Sequence, residues 1–205
     1  NFFPTFALNH HGYLNVGYMV ICLSQIAMLH LWCRERGIRP PEALYHHAAE
    51  LWRLVKTFTF PDGRLMRIGG DTRARYCYCQ DYLVPTWLFA QDHFGDTDAE
   101  AMERGWLEQL RREQEHNGDG GFISDRAREL RQVSELYYTR LDSDRACSIS
   151  MGAWWRRTLQ IAPAQPRSRV PLARLDSWVD DYHGSFFRES PSVCCAFTWA
   201  GAEGP

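Results

Sequence analysis

Apolar residues in the first three quarters of the chain recur mainly with helical spacing. Residues 16–33 are apolar on nearly every side, which predicts an inner helix over 15–36 that other helices cover. Residues 41–58 carry one apolar and one polar face, so a second helix is predicted there. Three more helices are predicted over 81–94, over 98–115 with Asp98 as the N-cap, and over 125–157.

Near the end of the chain the period changes from helical to alternating. The stretch SVCCAFTW predicts a strand, and SFFRES before it is a candidate partner strand. The proline-rich, polar residues 162–171 are predicted to be a linker between the two patterns. Helices first and strands last predict an α+β protein or two domains. One side of the predicted strand carries Val193, Cys195, Phe197 and Trp199.

The composition permits a sizeable core and argues against some partners. Of the 205 residues, 45% are hydrophobic and 14% aromatic, which is enough apolar surface for one large domain. The formal net charge of −2 gives no reason to expect nucleic acid or a membrane surface as a partner. Because Ser24, Gln25 and His30 interrupt the longest apolar stretch, it is predicted to be a core helix rather than a membrane span. Lys56 is the only lysine.

The cysteines predict neither a disulfide framework nor a metal site. Their number, seven, is odd, and their spacing lacks the CxxC pairs of zinc ribbons. We interpret most of them as small buried apolar residues. The histidines likewise show no HExxH spacing, so no metal and no cofactor is predicted.

Both ends of the sequence predict an internal piece of a longer protein. The chain starts at Asn1 without a methionine, and it stops soon after the apolar alternation has begun. The lack of a signal peptide therefore carries no information on location.

A first group of chemically useful side chains precedes the long apolar helix. Asn9, His10, His11 and Tyr13 stand in a predicted loop, where they are well placed to line a cavity. The alternative is that Asn9 or Asn15 caps the helix and that the two histidines are ordinary surface groups. The residues by themselves leave both readings open.

A second group lies between the second and third predicted helices. The stretch PDGRLMRIGGDTRARYCYCQDY, residues 61–82, is too polar and too aromatic for a simple linker. It contains Arg73, Arg75, Tyr76 and Tyr78. The alternative is a solvated loop held by arginine–carboxylate ion pairs.

A third group, Tyr182 and His183, stands in the stretch DDYHG just before the predicted strands. A junction between helices and a sheet is a common place for a cleft. These two side chains are therefore candidates for closing such a cleft.

Taken together, NHHGYLNVGYM, FPDGRLMRIGGDTRARY and the change to strands after DDYHGSFFRES resemble the heparinase II/III-like polysaccharide lyases and their alginate-lyase relatives. The resemblance implies a mostly α fold, a partial (α/α) toroid of helical hairpins followed by the first strands of an antiparallel β-sheet domain. It divides the chain into a helical portion (1–161), a linker (162–172) and a last helix with the start of a β-sandwich domain (173–205). It also implies a periplasmic or secreted protein.

The resemblance further implies a reaction, the β-elimination of an acidic, uronate-containing polysaccharide. Such a polymer is cleaved by removing the proton next to the carboxylate and expelling the glycosidic oxygen, which requires the carboxylate to be neutralised first. Asn9 would neutralise it, and His10 or His11 would be the base. Tyr76 would be the acid that returns a proton to the leaving oxygen, or both the acid and the base. The substrate-binding residues implied are Tyr13, Arg73, Arg75, Tyr78, Tyr182 and His183.

Two other functions remain open at this stage. A toroid-type glycoside hydrolase would need two carboxylates on either side of the scissile bond, and Asp71 with Asp81, or Asp62 with Asp119, are candidates. A non-catalytic carbohydrate-binding helical domain would be favoured if His10, His11 and Tyr76 did not converge on one cavity.

Overall fold

The computed structural model describes residues 3–70, 79–123, 132, 140–161 and 173–201, and within these ranges the protein is mostly α-helical. The five helices described are α1 (Val16–Glu35), α2 (Ala48–Thr57), α3 (Leu83–Phe89), α4 (Thr97–Asn117) and α5 (Leu141–Thr158). A short hairpin consists of β1 (Asn9–His10) and β2 (Tyr13–Leu14). An antiparallel sheet consists of β3 (Ser177–Asp180), β4 (Ser185–Glu189) and β5 (Cys194–Thr198).

Helix α1 lies at the centre of the helical part, as its apolar sequence predicts. It packs against α2, α3 and α5. Asn15 is its N-cap, because the Asn15 side chain accepts a hydrogen bond from the backbone N–H of Tyr18 at 2.8 Å. Among the described residues α1 is the one helix long and apolar enough to cross a membrane, and half of that apolar stretch is buried inside this fold.

The helix predicted over 41–58 is interrupted. A 3₁₀ turn, Glu42–Tyr45, comes first, and α2 begins only at Ala48. The break falls at His47, whose φ of 56° is left-handed and cannot continue a right-handed helix. Beyond the break, α2 buries the apolar face that the sequence predicts, with Leu51, Trp52 and Val55 inside.

The predicted third helix is present as α3, extended by a π-helical turn over Ala90–Phe94. The fourth helix is also present as α4, but its N-cap is Asp96 and not Asp98. Gly95 turns the chain in a left-handed conformation, so Asp96 is extended and its side chain accepts from the backbone N–H of Asp98. The later part of the fifth predicted helix is present as α5. Its earlier part lies outside the described residues, except for position 132, as does the predicted linker.

The sheet at the end of the chain confirms one predicted pairing and corrects another prediction. β4 and β5 pair antiparallel, with Phe186 opposite Phe197. The last helix predicted within 173–205 is wrong, because Ser177–Asp180 forms strand β3. Burial along β3 alternates, with Trp178 and Asp180 inside, and this alternation is the pattern of a strand packed on one face.

The sheet shares its core with the helices. The rings of Trp178 and Phe187 lie 5.2 and 5.7 Å from the ring of Phe58, which follows α2, and both meet it edge to face. The backbone N–H of Leu175 also donates to the Thr57 hydroxyl at 3.0 Å. The inner face of the sheet is therefore held at the C-terminal end of α2.

The cysteines are less buried than the sequence suggests. Cys33 and Cys79 are buried, but Cys147, Cys194 and Cys195 are exposed, because α5 and β5 turn them towards solvent. The described cysteines form no disulfide. Cys77 lies outside the described residues.

Asp81 is a buried acid in the helical core. Its Oδ1 accepts from Nε of Arg145 at 2.9 Å, while its Oδ2 has no hydrogen-bond partner within the described part of the chain. Burial raises the pKa of Asp81 from its ordinary 3.8 to about 6, and the neighbouring Arg145 guanidinium opposes that rise without cancelling it.

We expect this raised pKa to make folding more favourable at mildly acidic pH. The folded protein holds the Asp81 proton more tightly than the unfolded chain, so the contribution is complete below about pH 4 and is lost as the pH rises through about 6. Between about pH 5 and about pH 8 the loss is on the order of 1 kcal/mol. Urea unfolding of the natural protein and of Asp81→Asn at both pH values measures it. Parallel pH profiles for the two proteins would contradict the assignment.

Candidate functional site

The histidine pair belongs to a tight hairpin rather than to a helix cap. β1 and β2 pair so that Asn9 lies opposite Leu14 and His10 opposite Tyr13. The two residues between them, His11 and Gly12, have φ values of 55° and 89°. Two left-handed residues in a row form a type I′ turn, which matches the twist of a hairpin.

His11 therefore occupies a position that favours glycine or asparagine. We expect His11→Asn to leave the free energy of unfolding unchanged or to raise it by about 0.5 kcal/mol, because Asn tolerates the left-handed region better than His. Thermal and urea unfolding measure the effect. A loss above about 1 kcal/mol would mean that the His11 side chain makes an important contact, and His10→Asn is the matched comparison at the neighbouring strand position.

Asn9 links the hairpin to the sheet. Its Oδ1 accepts from the backbone N–H of Gly12 at 3.0 Å, which fixes the orientation of the amide. Its Nδ2 then lies 3.2 Å from Nε2 of His183 and donates to it. Asn9 is partly exposed, and within the described residues the second N–H of its amide has no acceptor.

His183 is fixed from its other side by Asp180. Because His183 Nε2 accepts from Asn9, the ring proton resides on Nδ1, which donates to Asp180 Oδ2 at 2.7 Å. The carboxylate also accepts from the Thr5 hydroxyl at 3.1 Å and, through Oδ1, from two backbone N–H groups of the β3–β4 turn. His183 is 0% exposed and Asp180 2%. The result is a buried chain of hydrogen bonds, Asp180–His183–Asn9, that ends at a partly exposed amide.

His10 faces away from this chain of hydrogen bonds. Its ring stacks on the ring of Tyr18 in α1, with centroids 4.1 Å apart and planes 17° apart, and meets the ring of His11 edge to face. Successive side chains of a strand point to opposite sides, which is why Asn9 meets the sheet and His10 meets the helix. His10 is partly buried, whereas His11 is exposed.

Tyr13 lies beside Gly70, which belongs to the arginine- and tyrosine-rich stretch 61–82. A Cβ added to Gly70 would collide with the carbonyl oxygen of Ala200 and lie 2.8 Å from the Tyr13 ring. Later in the same stretch, the thiol of Cys79 lies 2.9 Å from where a Cβ of Gly17 would be, in the first turn of α1. Gly70 therefore lies next to the hairpin, and Cys79 lies next to the start of α1. The predicted residues within it, Arg73, Arg75, Tyr76 and Tyr78, lie outside the described residues.

The third predicted group divides into one exposed and one buried residue. Tyr182 is 66% exposed, and its ring stacks on Phe3 with centroids 4.4 Å apart. His183 is covered by the same Phe3 ring, edge to face at 4.7 Å. Tyr182 is therefore accessible from the surface, whereas His183 is buried and is linked to a partly exposed group through the amide of Asn9.

Sequence reasoning missed three residues that shape this region. Asp180 precedes His183 by three positions in DDYHG, and that spacing in a turn was the available signal. Tyr18 follows His10 by eight positions and meets it only because the hairpin folds back on α1. Thr5 is 175 positions from its partner Asp180, and no local pattern connects them.

The carboxylates proposed for a hydrolase are engaged in local structure. Asp62 accepts from the backbone N–H and Nε of Arg64, and Asp119 accepts from the backbone N–H of Gly121. Asp81 is buried against Arg145, and Asp71 lies outside the described residues. Among the described residues, no group of three or more His, Cys, Asp or Glu side chains could hold a metal ion.

Comparisons of the chain with models of protein families, with curated proteins and with solved structures found no match. What the protein does is therefore inferred from its own side chains. Their most informative feature is a partly exposed amide held by a buried His–Asp pair at the junction of hairpin and sheet.

Proposed function

We propose that the protein is a polysaccharide lyase that cleaves an acidic, uronate-containing polymer by β-elimination, on a helical scaffold of the (α/α) toroid type. The observation that carries the proposal is the chain of hydrogen bonds from Asp180 through His183 to Asn9. It fixes one amide N–H at a partly exposed position of the hairpin that also carries His10, His11 and Tyr13.

Asn9 has the role of neutralising the substrate carboxylate. Removing the proton next to a carboxylate places additional negative charge on it, and a pre-oriented donor stabilises that charge without reorganising during the reaction. The Asn9 amide is oriented on both sides, by Gly12 and by His183, so its second N–H is fixed for such an acceptor.

His10 is the better candidate for the base. Its ring is held by stacking on Tyr18, whereas His11 stands on an exposed turn where, among the described residues, its ring meets that of His10 alone. A ring held in one orientation loses less freedom when it takes the proton, which favours the reaction. His10 directly follows Asn9 in β1, and the two side chains leave the strand on opposite faces, so a substrate would have to reach both faces over the edge of β1.

Tyr76 is retained as the proton donor to the leaving oxygen. The support is its place in the chain, since Gly70 before it lies next to the hairpin and Cys79 after it lies next to the first turn of α1. Arg73, Arg75 and Tyr78 belong to the same stretch and are proposed to bind the acidic polymer, together with Tyr13 and Tyr182.

The direct test is to incubate the protein with alginate, heparan sulfate and related uronate polymers and to follow the ultraviolet absorbance of the unsaturated uronate product. Rising absorbance that matches the number of new reducing ends is the expected result. New reducing ends without that absorbance would reject the lyase and indicate a hydrolase. Binding of polymer without any new ends would indicate a non-catalytic carbohydrate-binding domain.

A further inference from the structure

The outer face of the antiparallel sheet exposes a group of large apolar side chains. Burial alternates along β3 and β4, so that Trp178 and Phe187 face the helices and the residues between them face outward. On the outer side Val179 is 52% exposed, and Phe197 and Trp199 are 57% and 52% exposed. Exposed apolar side chains that are grouped in this way mark an interaction surface, whereas single ones are ordinary.

The aromatic rings of this outer face form a continuous row. Phe186 lies opposite Phe197 across the β4–β5 ladder, and their ring centroids are 6.3 Å apart. Trp199 follows Phe197 by two positions, so both rings lie on the same side, with centroids 6.4 Å apart and planes 21° apart. The ladder extends to Trp199, because its backbone N–H donates to the carbonyl of Gly184 at 2.8 Å. The sheet therefore holds the three rings side by side.

One end of the aromatic row lies beside the candidate site. A Cβ on Gly70 would collide with the carbonyl oxygen of Ala200, the residue that follows Trp199. That same Cβ would lie 2.8 Å from the ring of Tyr13 in the hairpin. The row and the hairpin that carries Asn9 are therefore neighbours, joined through Gly70.

The charge of the outer face is positive. Arg188 of β4 is the one charged side chain that the three strands, all of them described, direct outward. It is exposed, and it forms no ion pair with the described residues. An open groove of about 960 Å³ lies over this part of the sheet and is lined by Phe186 and Arg188. Two acidic residues also line the groove, Asp176 and Glu189, and Glu189 is paired with Arg174 at 3.5 Å.

We propose that the outer face of the sheet binds the acidic polysaccharide next to the candidate site, and the choice of this polymer rests on the proposed lyase function. Phe197 and Trp199 stack on sugar rings. The flat side of a sugar ring presents C–H groups with a slight positive charge, which suits the negative face of an aromatic ring. Arg188 binds a uronate carboxylate, which its planar guanidinium matches in shape and charge.

The charge of the face favours a uronate polymer over a second copy of the chain. A second copy would bring the same outer face with the same arginine, so Arg188 would be covered without a counter-charge, which is costly. A uronate polymer carries a carboxylate on its sugar units and an apolar side on each ring. It therefore satisfies the arginine and the aromatic rings together.

The test is equilibrium binding of alginate and of heparan sulfate, measured by calorimetry under conditions in which no new reducing ends form. Trp199→Ala and Phe197→Ala should each raise the Kd about tenfold, because each removes one stacking ring. Both side chains are more than half exposed, so the fold should tolerate their loss. Trp154→Ala, which removes a 50% exposed tryptophan from α5, is the matched control and should leave the Kd unchanged.

A second pair of variants tests the charge. Arg188→Gln should raise the Kd for alginate about threefold at low salt, as expected for an exposed ion pair, and less at high salt. It should leave binding of the uncharged polymer hydroxyethylcellulose unchanged. Arg157→Gln, at an exposed position of α5, is the matched control.

Kinetics separate this surface from the chemistry. Trp199→Ala should raise KM about tenfold with kcat unchanged, because the stacking contact is the same in the ground state and in the transition state. Natural protein that binds neither acidic polymer, or unchanged Kd values in both Trp199→Ala and Phe197→Ala, would overturn the proposal. A dimer of the natural protein that Trp199→Ala abolishes would assign the face to a second copy and overturn it too. If polymer binds through this face and no unsaturated product forms, the lyase function fails and the binding surface stands.

Discussion

Replacing Asn9 by aspartate should lower kcat/KM on a uronate polymer by about 10³-fold or more while the protein stays folded. Removing one pre-oriented donor to a developing oxyanion typically costs about 10²–10³-fold. The introduced carboxylate would also place a negative charge opposite the substrate carboxylate, which disfavours the transition state further. The shape of the side chain is retained, and its oxygen can still accept from the N–H of Gly12.

The matched control is Asn117→Asp, which makes the same change at the end of α4, where Asn117 donates to the carbonyl of Gly121. It should lose little activity. Steady-state kinetics measure the change, and circular dichroism checks the fold. An Asn9→Asp protein with near-normal kcat/KM would show that the amide does not neutralise the substrate, whatever reaction the protein catalyses.

The helices could be predicted because their causes are local. The apolar run of α1, the amphipathic period of α2 and the helically spaced Met102, Trp106 and Leu110 of α4 each predict a buried face, and the structure buries them. The errors come from the backbone at single residues. His47 is left-handed and splits a predicted helix, and the left-handed Gly95 moves a cap from Asp98 to Asp96.

The site was only half predictable, for a different physical reason. Asn9 and His183 were singled out separately, but the contact between them joins positions 174 residues apart. A period or a motif describes neighbours along the chain and cannot supply such a contact. The directions of the Asn9 and His10 side chains could not be predicted either. They depend on the hairpin turn at His11 and Gly12, which makes Asn9 face the sheet and His10 face Tyr18. Tyr76 lies outside the described residues, so its role as the proton donor remains a prediction from the sequence.

The largest expected loss of stability comes from Asp96, far from the proposed chemistry. Asp96 caps α4, accepts from Nε1 of Trp52 at 2.8 Å and pairs with the fully buried ammonium of Lys56 at 2.8 Å. Asp96→Ala removes all three interactions, while Lys56 keeps an ion pair with Asp98, which is 60% exposed. Removing one partner of a buried ion pair costs about 3–5 kcal/mol, and we expect a loss of that size in urea unfolding.

The contributions of cap and charge can be separated. Asp96→Asn keeps a good N-cap and removes the charge, so it should be less destabilising than Asp96→Ala by about 1 kcal/mol. Adding Lys56→Met to Asp96→Asn should recover part of the loss, because the buried ammonium that has lost the Asp96 charge is then removed as well. Lys56→Met alone completes the comparison. If its effect and that of Asp96→Asn added up to the effect of the double change, the two side chains would not be coupled. The loss in Asp96→Ala would then come from the helix cap and from Trp52. Glu108→Ala, which removes an exposed partner of Arg111 on the same helix, should leave stability nearly unchanged and serves as the surface control.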